Sequence, residues 1–126
     1  MLHIEHDTLI LSGDHKVAFR WPIAESVVFE NILILRFEQG GQRPLNENVC
    51  GVDLQGKILW QIKPRMYPMS ECPYVNINRK GDFVEAYGWD GRVLTLDPKS
   101  GDILAENWVD IGVSRAVSER LIKNYF

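Results

Sequence analysis

The side chains of this chain best suited to chemistry near neutral pH are three histidines and two cysteines. His3, His6 and Asp7 put three metal-ligating side chains within five positions. In an extended strand the side chains alternate, so His3 and His6 face apart and cannot share an ion. The reading is therefore solvated histidines and no metal site. His15 with Ser12 and Asp14 is the one local grouping of nucleophile, base and orienting acid. Ser and Asp around Gly13 are also what a tight turn selects, and that explanation suffices. Cys50 stands in an apolar run and reads as a small buried hydrophobe. Cys72 follows a proline-rich stretch with no histidine near it. The absence of a CxxC pair excludes the commonest zinc spacing, and the acidic, alternating N-terminus does not read as a signal peptide. Reduced thiols and a cytoplasmic location are expected. Glu85 is the most unusual carboxylate, alternating with Phe83 and Tyr87 on a predicted strand although strands disfavour Glu. It is a minor candidate for acid–base or ligand chemistry, against the plainer role of a solvent-facing ion pair. Neither G-x-G-x-x-G nor G-x-x-x-x-G-K-[ST] occurs among the ten glycines. The chain is thus expected to be no enzyme and to hold no cofactor.

The aromatic residues say more. Trp60 follows Ile58 at period two and is expected in the core, with Trp21 and Trp108 placed likewise. Trp89 differs, because Tyr87-Gly88-Trp89-Asp90-Gly91 carries the Asp-Gly signature of a tight hairpin. A tryptophan on a turn suits an interface anchor. Tyr67, Glu71, Trp89, Asp90 and Glu106 together make a candidate partner-binding surface, both acidic and aromatic. The chain carries 14 Lys and Arg against 17 Asp and Glu, a net of −3. That is too acidic for a general nucleic-acid binder; it permits a basic protein partner and is also the ordinary charge of a well-solvated surface. No apolar run approaches the roughly 20 residues that span a bilayer, so no membrane partner is expected.

The elements that must position these residues show a repeat. Leu9–Trp21, Val49–Ile62 and Val93–Trp108 each read as an apolar strand, a glycine-containing turn and a second apolar strand. Their turn glycines, Gly13, Gly56 and Gly101, stand 43 and 45 residues apart. Four strands in about 40–45 residues is a propeller-blade spacing. Val52-Asp53-Leu54-Gln55-Gly56-Lys57-Ile58-Leu59-Trp60 and Leu96-Asp97-Pro98-Lys99-Ser100-Gly101-Asp102-Ile103-Leu104 carry an apolar-Asp pair, a glycine turn and an apolar strand. Trp89-Asp90-Gly91-Arg92-Val93 precedes the latter. These stretches resemble the blade repeat of pyrroloquinoline-quinone-type β-propellers, well over residues 24–108 and weakly over 8–21. The resemblance implies strand order and not quinone binding, since its residues serve turns and packing.

The expected fold is all-β: one domain, 1–126, with about ten strands in a mostly antiparallel meander. It divides into a half-blade hairpin at 8–21, blade-like units at 26–62 and 74–108, and one C-terminal α-helix at 113–124. The helix rests on Val113, Val117, Leu121 and Tyr125 at a spacing of four. Closed propellers use about 4–8 blades. Two and a half imply an incomplete, propeller-like or sandwich arrangement whose open edges must be covered, paired or charged. The function expected from these features is a non-enzymatic protein-binding domain, an inhibitor or immunity-type protein neutralising a partner such as a toxin domain. The alternatives are a self-assembling structural module (a homo-oligomer) and a small-ligand or hydrolytic domain.

Overall fold

The computed structural model describes residues 2–64 and 71–108. Eleven strands form three antiparallel sheets among them. The first sheet has the order β1 (His3–Glu5), β2 (Thr8–Ile10), β3 (Lys16–Ala18). The second runs β4 (Ile23–Phe29), β5 (Ile32–Phe37), β6 (Val49–Asp53), β7 (Ile58–Gln61). The third runs β8 (Tyr74–Lys80), β9 (Phe83–Gly88), β10 (Arg92–Leu96), β11 (Ile103–Trp108). Each sheet is a meander in which sequence neighbours pair. The hairpin expected over 8–21 gains β1 as a third strand. The helix expected over 113–124 lies outside the described residues.

The second sheet is buried on both faces, which explains the unbroken apolar run Ile32-Leu33-Ile34-Leu35. Alternation sends Leu33, Leu35 and Phe37, with Cys50 and Val52 of β6, against Leu9 of the first sheet and Leu11 just after β2. It sends Ile34 and Val49, with Trp60, against Ile77, Val84, Ala86, Leu94 and Leu96 of the third. Two apolar layers thus separate three sheets. Asn48 fastens the second layer at one end: its amide donates to Phe37 O (3.0 Å) and Tyr74 O (2.8 Å) and accepts from Tyr74 N (3.0 Å).

The repeat has a physical basis at its turns. Asp53 Oδ1 accepts the amides of Gln55 and Lys57, both at 2.9 Å, and Asp97 Oδ1 accepts that of Lys99 at 2.9 Å. Each turn then receives a side chain from the sheet before it. A Cβ on Gly56 would stand 2.4 Å from Val17 Cγ2, and one on Gly101 2.4 Å from Trp60 Cε3. Val17 and Trp60 each follow their own turn glycine by four residues. The Trp60 indole also donates to Pro98 O at 2.8 Å and lies across Gly51, where a Cβ would meet its Nε1 at 2.4 Å.

The exposed inner edges β4 and β8 cover one another with charged side chains, a recognised defence against edge pairing. Glu25 of β4 accepts the edge amide of Ile77 (2.8 Å) and the Asn76 side chain (2.7 Å), while Arg36 Nε holds the same carboxylate at 2.7 Å. In return Arg79 of β8 donates to Val28 O of β4 at 2.8 Å, its guanidinium 4.3 Å from the Phe29 ring centre.

The outward faces of the end sheets mix polar side chains with apolar ones, Phe83, Tyr87 and Val93 on the third sheet and Ile10 and Ala18 on the first. On the third sheet Asn78, Glu85, Thr95 and Ala105 stand abreast across four strands, opposite the face that carries Val84, Ala86 and Leu94. Ala105 follows Gly101 by four, the place of Trp60 on β7, and Thr95 faces it where Gly51 faces Trp60. This face has neither the docking tryptophan nor the room for one. His3, Glu5, Thr8 and Lys16 occupy the outward side of the first sheet.

Candidate functional site

The end of the third sheet where β8 begins gathers most of the residues singled out in the sequence. The turn between β9 and β10 closes through Gly91 N to Gly88 O at 3.0 Å, with Gly91 at φ +91°. Asp90 Oδ1 accepts the Arg92 amide at 3.2 Å and so fixes the turn. Trp89 N donates to Pro73 O at 2.9 Å, which binds the turn to the segment leading into β8. The Trp89 indole is 73% exposed. Behind the turn, Arg92 and Trp108 are cross-strand partners, and the Arg92 guanidinium stacks 4.3 Å from the Trp108 ring centre. Arg92 Nη1 pairs with Glu106, two residues before Trp108 on β11.

Of the five expected positions, Trp89, Asp90 and Glu106 share one end of one sheet, Glu71 stands three residues ahead of β8 and pairs with Arg43, and Tyr67 lies outside the described residues. Two features differ from the sequence reading. Trp108 was expected in the core and is 58% exposed, because β11 is an edge strand with all six residues exposed. Glu71 pairs with Arg43 and Glu106 with Arg92, so the surface is charge-balanced more than acidic. Sequence reasoning missed Arg92 and Trp108. Folding the Asp97–Gly101 hairpin back on itself would have paired them.

The other candidates are scattered. Glu85 sits on the outward face of the third sheet with a side chain 14% exposed, accepting Tyr87 Oη–H at 2.9 Å and facing Lys80 Nζ at 3.5 Å. The hydrogen bond to Glu85, then burial, raises the Tyr87 phenol above its ordinary value. His3 pairs with Glu5 at 3.2 Å, His6 occupies the β1–β2 turn at φ +58°, and His15 Nε2–H donates to Gln55 O at 3.1 Å. Among the described residues no three His, Cys, Asp or Glu side chains group as metal ligands. Cys50 is buried, and burial pushes its thiol up to about 12. No helix among the described residues is long and apolar enough to cross a membrane.

A family model described as "Domain of unknown function (DUF7957)" matches residues 1–108. The chain belongs to the DUF7957 family. That match ends at the last residue of β11, so the family is defined over the three sheets. No curated protein matches the chain. Among solved structures, BamB from Moraxella catarrhalis is similar with a TM-score of 0.54 at 19% identity, over 85% of this chain and 32% of that one. The chain spans about a third of that protein's length. BamB is a pyrroloquinoline-quinone-like β-propeller, so the likeness shows the blade architecture of this DUF7957 member, as its turns had indicated.

Proposed function

We propose that this chain is a non-enzymatic protein-binding domain whose contact surface is the Trp89 end of the third sheet. The observation that supports it is the exposure of two tryptophans, Trp89 and Trp108, on one end of one sheet. Solvated indoles leave a large apolar area in water, and clustered tryptophan and arginine are the typical anchors of protein interfaces. Arg43 and Arg92 neutralise two of the three carboxylates there, so aromatic burial holds the partner and charge plays the lesser part. The finer form of the proposal is a cytoplasmic inhibitor or immunity-type protein that blocks a partner such as a toxin domain. A foreign partner is favoured over a second copy because the outward face of the third sheet carries Ala105 and Thr95 where the second sheet carries the docking Trp60 and Gly51.

The test is a binding comparison between the wild-type chain and Trp89→Ala, Trp108→Ala, first against proteins captured from native lysate and then against the purified candidate. Both positions are exposed, so the variants are expected to keep the wild-type circular dichroism. A loss of one stoichiometric partner supports the surface. Equal retention of that partner by wild type and variant sinks it.

A further inference from the structure

The three sheets end in six edge strands, and five of them carry a recognised defence against adding a further strand. β1 and β3 are three residues long and hold Glu5 and Lys16. β4 and β8 cover one another through Glu25 and Arg79. β7 keeps register for two pairs before a bulge, and Lys57 and Lys63 flank it. β11 is the exception among the described residues. It has no lysine and no proline, all six of its residues are exposed, and its one charged side chain, Glu106, already pairs with Arg92. Past a bulge near its start, it runs in register with β10 for four pairs, from Ala105 to Trp108. Along its other side, the N–H and C=O groups of alternate residues meet no strand among the described residues.

We infer that β11 receives an extended strand of the protein partner, which adds a fifth strand to the third sheet beside Trp108. The inference rests on the reading of the Trp89 end as the contact surface: Trp108 closes β11, so the free edge runs directly into that surface. In strand addition the main-chain bonds supply affinity and alternate side chains supply specificity. Leu94 faces the core and pairs with Glu106, so Glu106 and Trp108 lie on the side of β11 turned toward the second sheet, with Ala105 and Asn107 on the other. The incoming strand therefore suits an aromatic or β-branched residue beside Trp108 and a lysine or arginine beside Glu106. Opposite charges across strands stabilise and like charges do the reverse. A second copy, bringing its own Glu106 and a net charge of −3, fits this edge less well than a partner strand that carries a basic residue.

The test is a titration of the intact chain with a peptide of about six residues, an ordinary strand length, in which valine and threonine alternate around one lysine. Two-dimensional NMR and amide hydrogen exchange follow it. The peptide is expected to shift the β11 signals and to slow exchange at alternate β11 amides by about tenfold, with β7 unchanged. The same peptide N-methylated at every residue has no N–H to pair and is expected not to bind. Glutamate in place of the lysine is expected to weaken binding about threefold. Shifts that map away from β11, equal binding of the two backbones, or no binding overturns the inference. β11 amides already protected in the free chain assign the edge to residues 109–126, and protection that grows with protein concentration assigns it to a second copy; either result overturns it as well. The Trp89→Ala, Trp108→Ala comparison fails separately. Loss of the partner there without peptide binding at β11 keeps the surface and drops the strand, and the reverse result keeps the edge and drops the tryptophans as anchors.

Discussion

Three glycines allow the packing between sheets to be measured against an internal control. Gly13, Gly51 and Gly101 respond to alanine for separable reasons. Gly13 has φ +72° and nothing within 4 Å of an added Cβ, so Gly13→Ala should register backbone strain alone. A left-handed conformation costs a residue with a Cβ roughly 1–2 kcal/mol. Gly51 has no positive φ, but its Cβ would press on the Trp60 indole at 2.4 Å, so Gly51→Ala should register the clash alone. Overpacking of that kind costs about 1–3 kcal/mol. Gly101 combines φ +75° with a Cβ 2.4 Å from the same indole, so Gly101→Ala should cost about 2–5 kcal/mol, near the sum of the other two. Urea unfolding followed by circular dichroism gives the three values, with the slope unchanged if only stability moves. A further arm removes the obstacle. In a Trp60→Leu background, the excess of Gly101→Ala over Gly13→Ala should shrink by about 1 kcal/mol or more, as expected for residues in contact. If Gly13→Ala costs as much as Gly101→Ala, or if the excess persists without the indole, then docking of Trp60 into the next turn is not what joins these sheets.

Other outcomes follow from single groups. Glu25→Ala leaves the edge amide of Ile77 and the Arg36 guanidinium without their shared acceptor and is expected to cost about 2–3 kcal/mol by the same unfolding assay; Glu25→Gln should recover part of the loss. Arg79→Lys keeps the charge but loses the planar fork between Val28 O and the Phe29 ring, and should lower stability by about 1 kcal/mol. Cys50 ionises near 9.0 in the unfolded chain and at about 12 when folded. Its folded pKa is raised, so its stabilising contribution is whole below pH 9 and is lost as pH rises towards 12. Relative to Cys50→Ala, the wild type should lose up to ~1.4 kcal/mol per pH unit across that window. Alkylation of Cys50 at pH 8 should proceed only as fast as the chain opens.

The blade architecture was readable because it is written in local chemistry. Gly13, Gly56 and Gly101 recur at a near-constant interval, and Asp53 and Asp97 mark turns through hydrogen bonds spanning two to four residues. The continuous run from Ile32 to Leu35 carried the signature of a strand buried on both faces. Glu25 and Arg79 gave no such signal, since their partners lie 51 or 52 residues away on another sheet and no periodicity encodes that distance. Trp108 was misread for a related reason. The pattern matched it to Trp60, yet four residues past Gly101 the equivalent place belongs to Ala105, and the outermost strand of the last sheet has no neighbour to bury against. Trp89 was placed correctly because Asp90-Gly91 fixes a turn wherever it occurs. The pairing of Glu71 with Arg43 bridges two loops 28 residues apart, which sequence charge could count but not locate.

The binding surface at the Trp89 end of the third sheet is the central claim, and isothermal titration of the purified partner into wild type and into the Trp89→Ala, Trp108→Ala double variant tests it most directly. Truncating two anchoring tryptophans is expected to weaken binding by at least 100-fold, about 2.7 kcal/mol, with the fold unchanged. An affinity within about threefold of wild type would contradict the account and move the search for function to another face of the molecule.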